Sequence, residues 1–282
     1  MTYAYAEAVL AGALAGLIGV QVVLRRLSYF TMALTHATFP GVVAAAILGV
    51  SITLGGALAG VLVACGVAAL TRRRGQDAAA ATGVIVAAGF AIGVGLVALQ
   101  DGFSRELSSF LVGSIVTTGR QDVVTTAIVL VLVAGVLSFF GRGLLFTGFD
   151  AAGARSAGYR PALYDLLLLI TIELVIVTIV PAVGTILALA LIVAPAAAAR
   201  LWSTRLPVVT GLAVTLGMLS GLLGLLLSGL LDIAAGAAIT LVAAAFLVTS
   251  LTLRRASLTF PLAFRRASLT ARRTSLTARR TS

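Results

Sequence analysis

Apolar residues in this chain come in blocks about as long as a bilayer-spanning helix, separated by short polar or arginine-bearing breaks. Read against those breaks, the pattern predicts nine spans near residues 6–24, 30–50, 53–70, 83–99, 123–141, 163–180, 183–199, 206–228 and 233–252. The blocks show little period-two alternation and exceed the length of a barrel strand, so helices are expected. The expected fold class is therefore all-α: a polytopic helical membrane protein of about eight to nine transmembrane helices. The 183–199 block is the one interrupted internally by Pro195. The first block has its arginines after it and no basic region before it, so it reads as a span and not as a cleavable signal peptide.

Arginine positions supply an orientation. With the N-terminus outside, the inner segments hold Arg25 and Arg26, then Arg72, Arg73 and Arg74, then Arg142, Arg155 and Arg160, then Arg200 and Arg205, and finally the C-terminal tail. The outer segments hold only Arg105 and Arg120. Cytoplasmic loops carry the excess of basic residues, so N-out/C-in is the expected topology. Gly12/Gly16, Gly56/Gly60, Gly89/Gly93 and Gly217/Gly221 each put two glycines on one helix face, which in lipid permits close backbone approach.

Composition agrees and narrows the chemistry. Of 282 residues, 60% are hydrophobic and 10% charged, against roughly 25% charged in a soluble domain. All 20 basic residues are arginine. A phosphate-binding P-loop needs its lysine, so this chain is not by itself a P-loop ATPase. The single cysteine, Cys65, excludes an internal disulfide. The net charge of +11 is no nucleic-acid signal, because eight arginines and no acids lie in residues 254–282 and the body carries only +3. That tail repeats RRASLT from Arg265 as RRTSLT from Arg272 and RRTS from Arg279. One leucine per repeat cannot form a coiled-coil seam, so disorder and attraction to anionic lipid are expected. The chain thus divides into a transmembrane domain, 1–253, and an arginine-rich tail, 254–282.

Ionisable groups inside spans are expensive and are functional candidates. His36 lies ten residues past Arg26, about 15 Å along a helix and so near mid-membrane. Glu173 is similarly deep in its block. The two either satisfy each other as a buried pair or line a pathway. Pro40 and Gly41 follow His36 by one turn, and Pro181, Gly184 and Pro195 punctuate the seventh block; irregular backbone at depth is tolerated mainly where it lines a cavity. Asp77 and Asp232 sit at helix boundaries, where capping is the expected role. One His, one Cys and no HExxH leave too few ligands for catalytic zinc, and no enzymatic constellation is present.

Outside the spans, the longest inner segment is expected at 142–161. There Asp150 is a candidate N-cap, 151–157 a short helix, and Gly158 with Pro161 a stop signal. Leu144, Leu145, Phe146 and Phe149 are expected to be exposed before it, either to dock a partner or to rest on lipid. On the outer side, 103–119 has apolar residues at helical spacing, suggesting an amphipathic helix over the bundle.

Four stretches resemble the permease subunits of ABC transporters for zinc, manganese and iron uptake. They are LTHATFPG from Leu34 to Gly41 (containing Thr35 and His36), Asp77 to Gly83, Leu144 to Gly158, and AVGTILALALIVAPAAAARL from Ala182 to Leu201. Two departures stand out: the family's Asp four residues before the His is here Met32, and its late Asp-x-Pro-x-Gly is Asp232 to Gly236 without the proline. The resemblance implies a homodimeric permease in a bacterial plasma membrane, importing a divalent metal ion, with no cofactor held permanently. It implies an ATP-binding subunit contacting Phe149, Asp150, Arg155 and Gly158, and an extracytoplasmic metal-binding protein on the other face. It implies His36 and Glu173 as pathway residues, shaped by Thr35, Pro40, Gly41, Gly184 and Pro195. The alternative is a secondary transporter or channel using His36 and Glu173 as a proton or ion relay.

Overall fold

The computed structural model describes residues 2–50, 52–71, 78–98 and 113–255. Among these the chain is all-helical: α1 Thr2–Leu24, α2 Ser28–Ala37, α3 Phe39–Ile47, α4 Ile52–Thr71, α5 Ala78–Ala98, α6 Arg120–Phe149, α7 Ala151–Ser156, α8 Pro161–Val183, α9 Thr185–Trp202, α10 Leu206–Leu231 and α11 Ala235–Arg255. A 3₁₀ turn, Ile115–Thr117, precedes α6. The chain is a multi-pass helical membrane protein. Six spans are long and apolar enough to cross a bilayer: α1, α2 with α3, α6, α8, α10 and α11. Shorter apolar stretches lie in α4, α5 and α9. Asp77, Arg72 to Arg74, most of the 103–119 segment and the tail beyond Arg255 lie outside the described residues.

Small residues decide how α1 packs. Gly12, Gly16 and Gly19 let two neighbouring backbones touch it: a Cβ on Gly12 would sit 2.1 Å from the Gly217 carbonyl oxygen of α10, one on Gly16 2.3 Å from that of Ala213, also in α10, and one on Gly19 2.0 Å from that of Ile192 in α9. Gly221 returns the contact, its Cβ position lying 2.0 Å from the Ala8 oxygen. The two glycine pairs predicted from spacing thus face each other in one seam. A second group, α2 to α5, packs against α8. There Gly41 of α3 and Gly55 of α4 meet backbone to backbone, each Cβ position 2.3 Å from the other residue's carbonyl oxygen.

Two boundaries differ from the sequence reading. The fifth block does not stop near residue 141 but stays helical through Phe149, so the segment expected from Arg142 begins eight residues later. Thirty residues span about 45 Å, well beyond a ~30 Å hydrocarbon core, and the surplus turns are held as helix by packing. Gly143 lets the Tyr164 ring approach to 2.3 Å of its Cβ position. Leu144 is consequently fully buried, not exposed as its apolar run suggested.

Helix ends sort into two sets. Val23, Leu145, Phe149, Arg200, Leu206 and Arg254 line one cavity of about 690 Å³. Glu7, Ser114, Asp122 and Pro181 line another, of about 150 Å³. Arg200 and Arg254 line the first, and the second has no arginine among its lining residues.

Candidate functional site

The second span breaks where Pro40 follows His36. Helix α2 ends at Ala37, α3 begins at Phe39 with Pro40 in its first turn, and Thr38 joins them in helical φ/ψ. Proline has no N–H for the carbonyl one turn earlier. Two threonine hydroxyls bind carbonyls close to the break: Thr35 Oγ1 donates to Met32 O at 2.7 Å, and Thr38 Oγ1 to Thr35 O at 3.2 Å. Thr35 is therefore buried and spoken for, whereas His36 is half-buried and faces a groove between α2 and α5. The groove holds about 430 Å³ and is lined by Tyr29, Met32, His36, Val86 and Phe90 among others. The Phe90 ring meets the imidazole edge-on at 6.4 Å between centroids. Tyr29, Met32 and Phe90 remain exposed, so this wall is open on one side in a single chain.

Glu173 lies elsewhere. Its carboxyl rests in the notch left by Gly60 of α4, where a Cβ would fall 1.8 Å from Glu173 Cδ. Only 1% of the residue is exposed, and neither carboxyl oxygen has a hydrogen-bond partner among the described residues. His36 and Glu173 are thus not the hydrogen-bonded pair that one sequence reading allowed. The Gly56/Gly60 pair is a contact all the same, seating Glu173 on one glycine and Val177 against the other.

At the arginine-rich end, Asp150 caps α7 as its sequence implied, Oδ1 accepting from Gly153 N at 2.8 Å. Gly153 is required there, because a Cβ would stand 2.2 Å from Asp150 Oδ2. Gly158 takes φ +85, the left-handed geometry glycine supplies without strain, and reverses the chain into Pro161 at the start of α8. Arg155 is exposed, its Nε donating to Ala151 O at 3.0 Å. Phe149 is 72% exposed, while Phe146 packs edge-on against Tyr159 at 5.6 Å.

Beneath α7 sits Arg25, which sequence reasoning used only for orientation. It pairs with Asp165 of α8 and donates to the Leu144 carbonyl and, at 3.0 Å, to Thr147 Oγ1 of α6. Gly148 admits the guanidinium, whose Nε lies 2.8 Å from its Cβ position. One cation therefore ties the end of α1 to both helices flanking α7. A second overlooked residue is Glu7, buried near the start of α1. Its signal was present, as a carboxylate within an apolar block.

The remaining predicted residues lie at helix junctions or within a helix. Gly184, at φ +97, is the one residue separating α8 from α9, and Pro195 lies inside α9 without ending it. Asp232 follows α10 in left-handed geometry, φ 53, a helix-end position as expected. Among the described residues no three His, Cys, Asp or Glu side chains cluster. His36 offers a single ring to the groove between α2 and α5.

The sequence pattern of the ABC 3 transport family matches residues 1–254. The chain is similar to the manganese transport system membrane protein MntC of Halalkalibacterium halodurans, with 32% identity over 248 residues covering 86% of this chain and 85% of that protein. It is also similar to the zinc transport system membrane protein TroC of Treponema pallidum, with 33% identity over 224 residues covering 76% and 74%. Among solved structures, PsaBC from Streptococcus pneumoniae in complex with Fab superposes with a TM-score of 0.80 at 31% identity, covering 88% of this chain and 90% of that one.

Proposed function

This chain belongs to the ABC 3 transport family, and from that premise we propose that it is the membrane permease subunit of a bacterial importer for a divalent metal ion, manganese or zinc. In this reading nine helices span the plasma membrane N-out/C-in, and two copies pair so that their His36 grooves face a shared route. An ATP-binding subunit docks on α7 from the cytoplasm, and an extracytoplasmic metal-binding protein delivers the ion from the other side. The permease hydrolyses nothing itself. Its cargo is a transient substrate, and tight selection resides in the delivering protein.

The observation that carries this reading is the Asp150-capped helix, presented beside exposed Phe149 and flanked by α6 and α8, which Arg25 ties to the end of α1. A push on α7 has a contiguous route inward. It passes from Asp165 along α8 to Glu173, across Gly60 to α4, and through Gly55 and Gly41 to the broken helix bearing His36. Packed elements with two discrete arrangements are what such coupling needs. Met32, where the resemblance led us to expect an aspartate, leaves His36 with a soft thioether beside it. That favours a borderline ion such as zinc more than an all-oxygen site would.

The carrier reading needs a proton path from His36 to Glu173. The two side chains occupy separate environments, one in the α2/α5 groove and one against α4, which favours the ATP-driven reading. The test is co-purification with the ATP-binding subunit. The wild type retains it, and Phe149→Glu or a proline at position 154 of α7 releases it. Undiminished association in both variants would overturn the docking assignment.

A further inference from the structure

The end of the bundle opposite Arg25, Arg200 and Arg254, where Arg120 opens α6, holds a polar cavity that the transport reading does not use. It is lined by Glu7 of α1, Ser114, Asp122 and Thr126 of α6, and Val177 of α8, with no basic side chain among its walls. Glu7 is 1% exposed and borders this cavity; Oε1 accepts from Thr126 Oγ1 at 2.7 Å, while Oε2 is buried with no partner among the described residues. Asp122 reaches back to the Gly119 N–H at 2.8 Å, which fixes its carboxylate at the cavity edge. Proline at 181 has no N–H to give the Val177 carbonyl, so a further oxygen is relieved of its usual helical donor there.

Two carboxylates and neutral oxygens, without nitrogen, sulfur or a compensating cation, form the donor set of a hard divalent ion. The volume of about 150 Å³ leaves room for the ion and several waters. We propose that Glu7 and Asp122 hold a divalent cation of the calcium type at this end of the bundle, outside the His36 route. The ion would tie α1 to α6 and to the 113–118 segment, whose Ser114 N–H already donates to the Pro181 carbonyl at 3.1 Å. This assignment is independent of the transported ion and of the ATP-binding subunit.

The experiment is equilibrium dialysis of the full chain in lipid nanodiscs against radioactive Ca²⁺, with thermal unfolding in parallel. The wild type is expected to bind one ion saturably, in the ~0.1–1 mM range of extracellular modules. Glu7→Gln and Asp122→Asn each weaken binding about tenfold or more, since affinity follows ligand charge. Ca²⁺ raises the unfolding temperature of the wild type but of neither variant. Asp232→Asn, a carboxylate outside the cavity, binds as the wild type does. Asp122 is exposed, so its variant reports on the site even if Glu7→Gln folds poorly. No saturable binding up to about 10 mM, or equal binding by the wild type and Asp122→Asn, would overturn the assignment.

Discussion

Arg25 and Glu173 are both charged-type side chains withdrawn from water in a lipid-embedded bundle, yet their surroundings are opposite. Arg25 keeps 11% of its side chain exposed and spends its terminal nitrogens on Asp165, the Leu144 carbonyl and Thr147. Glu173 is 1% exposed, and its oxygens face a glycine notch with nothing to bind. A buried polar group with partners fixes a structure, whereas one without them is a standing penalty that persists only for another reason. Arg25 accordingly reads as a staple, and under the proposed importer function Glu173 belongs to what moves.

Four substitutions break or sharpen that contrast. Arg25→Ala strips three acceptors of one donor group and should destabilise the chain by about 3 kcal/mol, with transport lost in proportion to folded protein and release of the helix α7 partner. Gly60→Ala follows: its methyl carbon would coincide with the Glu173 carboxyl, so about 2 kcal/mol is expected. Combining it with Glu173→Ala should recover most of that loss in a double-mutant cycle. Glu173→Leu reverses the sign. Replacing an unpartnered buried carboxyl with an apolar side chain should raise stability by about 1 kcal/mol while transport falls, a split that a merely structural carboxyl would not give. Asp165→Asn is the smallest, under about 1 kcal/mol, because Asp165 is 54% exposed and the pair is screened on that side. Chemical unfolding in mixed micelles, beside uptake per folded molecule, reads all four.

Much of this was legible in the residues. The nine apolar runs each lie largely on helix among the described residues, because span length is set by the bilayer and not by tertiary detail. Asp150 and Gly158 wrote their own turn, since capping is local. What the sequence could not carry was partnership at a distance. Arg25 and Asp165 are 140 residues apart, and nothing local distinguishes Arg25 from Arg26 beside it. Likewise similar depth suggested pairing His36 with Glu173, but depth leaves the helix face unspecified, and the faces differ. Leu144 was misread for the same reason: an apolar run near a loop is exposed only if the helix ends, and here Gly143 and Tyr164 keep it going.

The most direct trial of the account is ⁵⁴Mn²⁺ and ⁶⁵Zn²⁺ uptake into proteoliposomes containing the chain with or without its ATP-binding subunit. The complex supplied with the metal-loaded delivering protein should concentrate one of these ions only when ATP is present, and the chain alone should concentrate neither. Accumulation by the chain alone, driven by an imposed proton gradient, would contradict it.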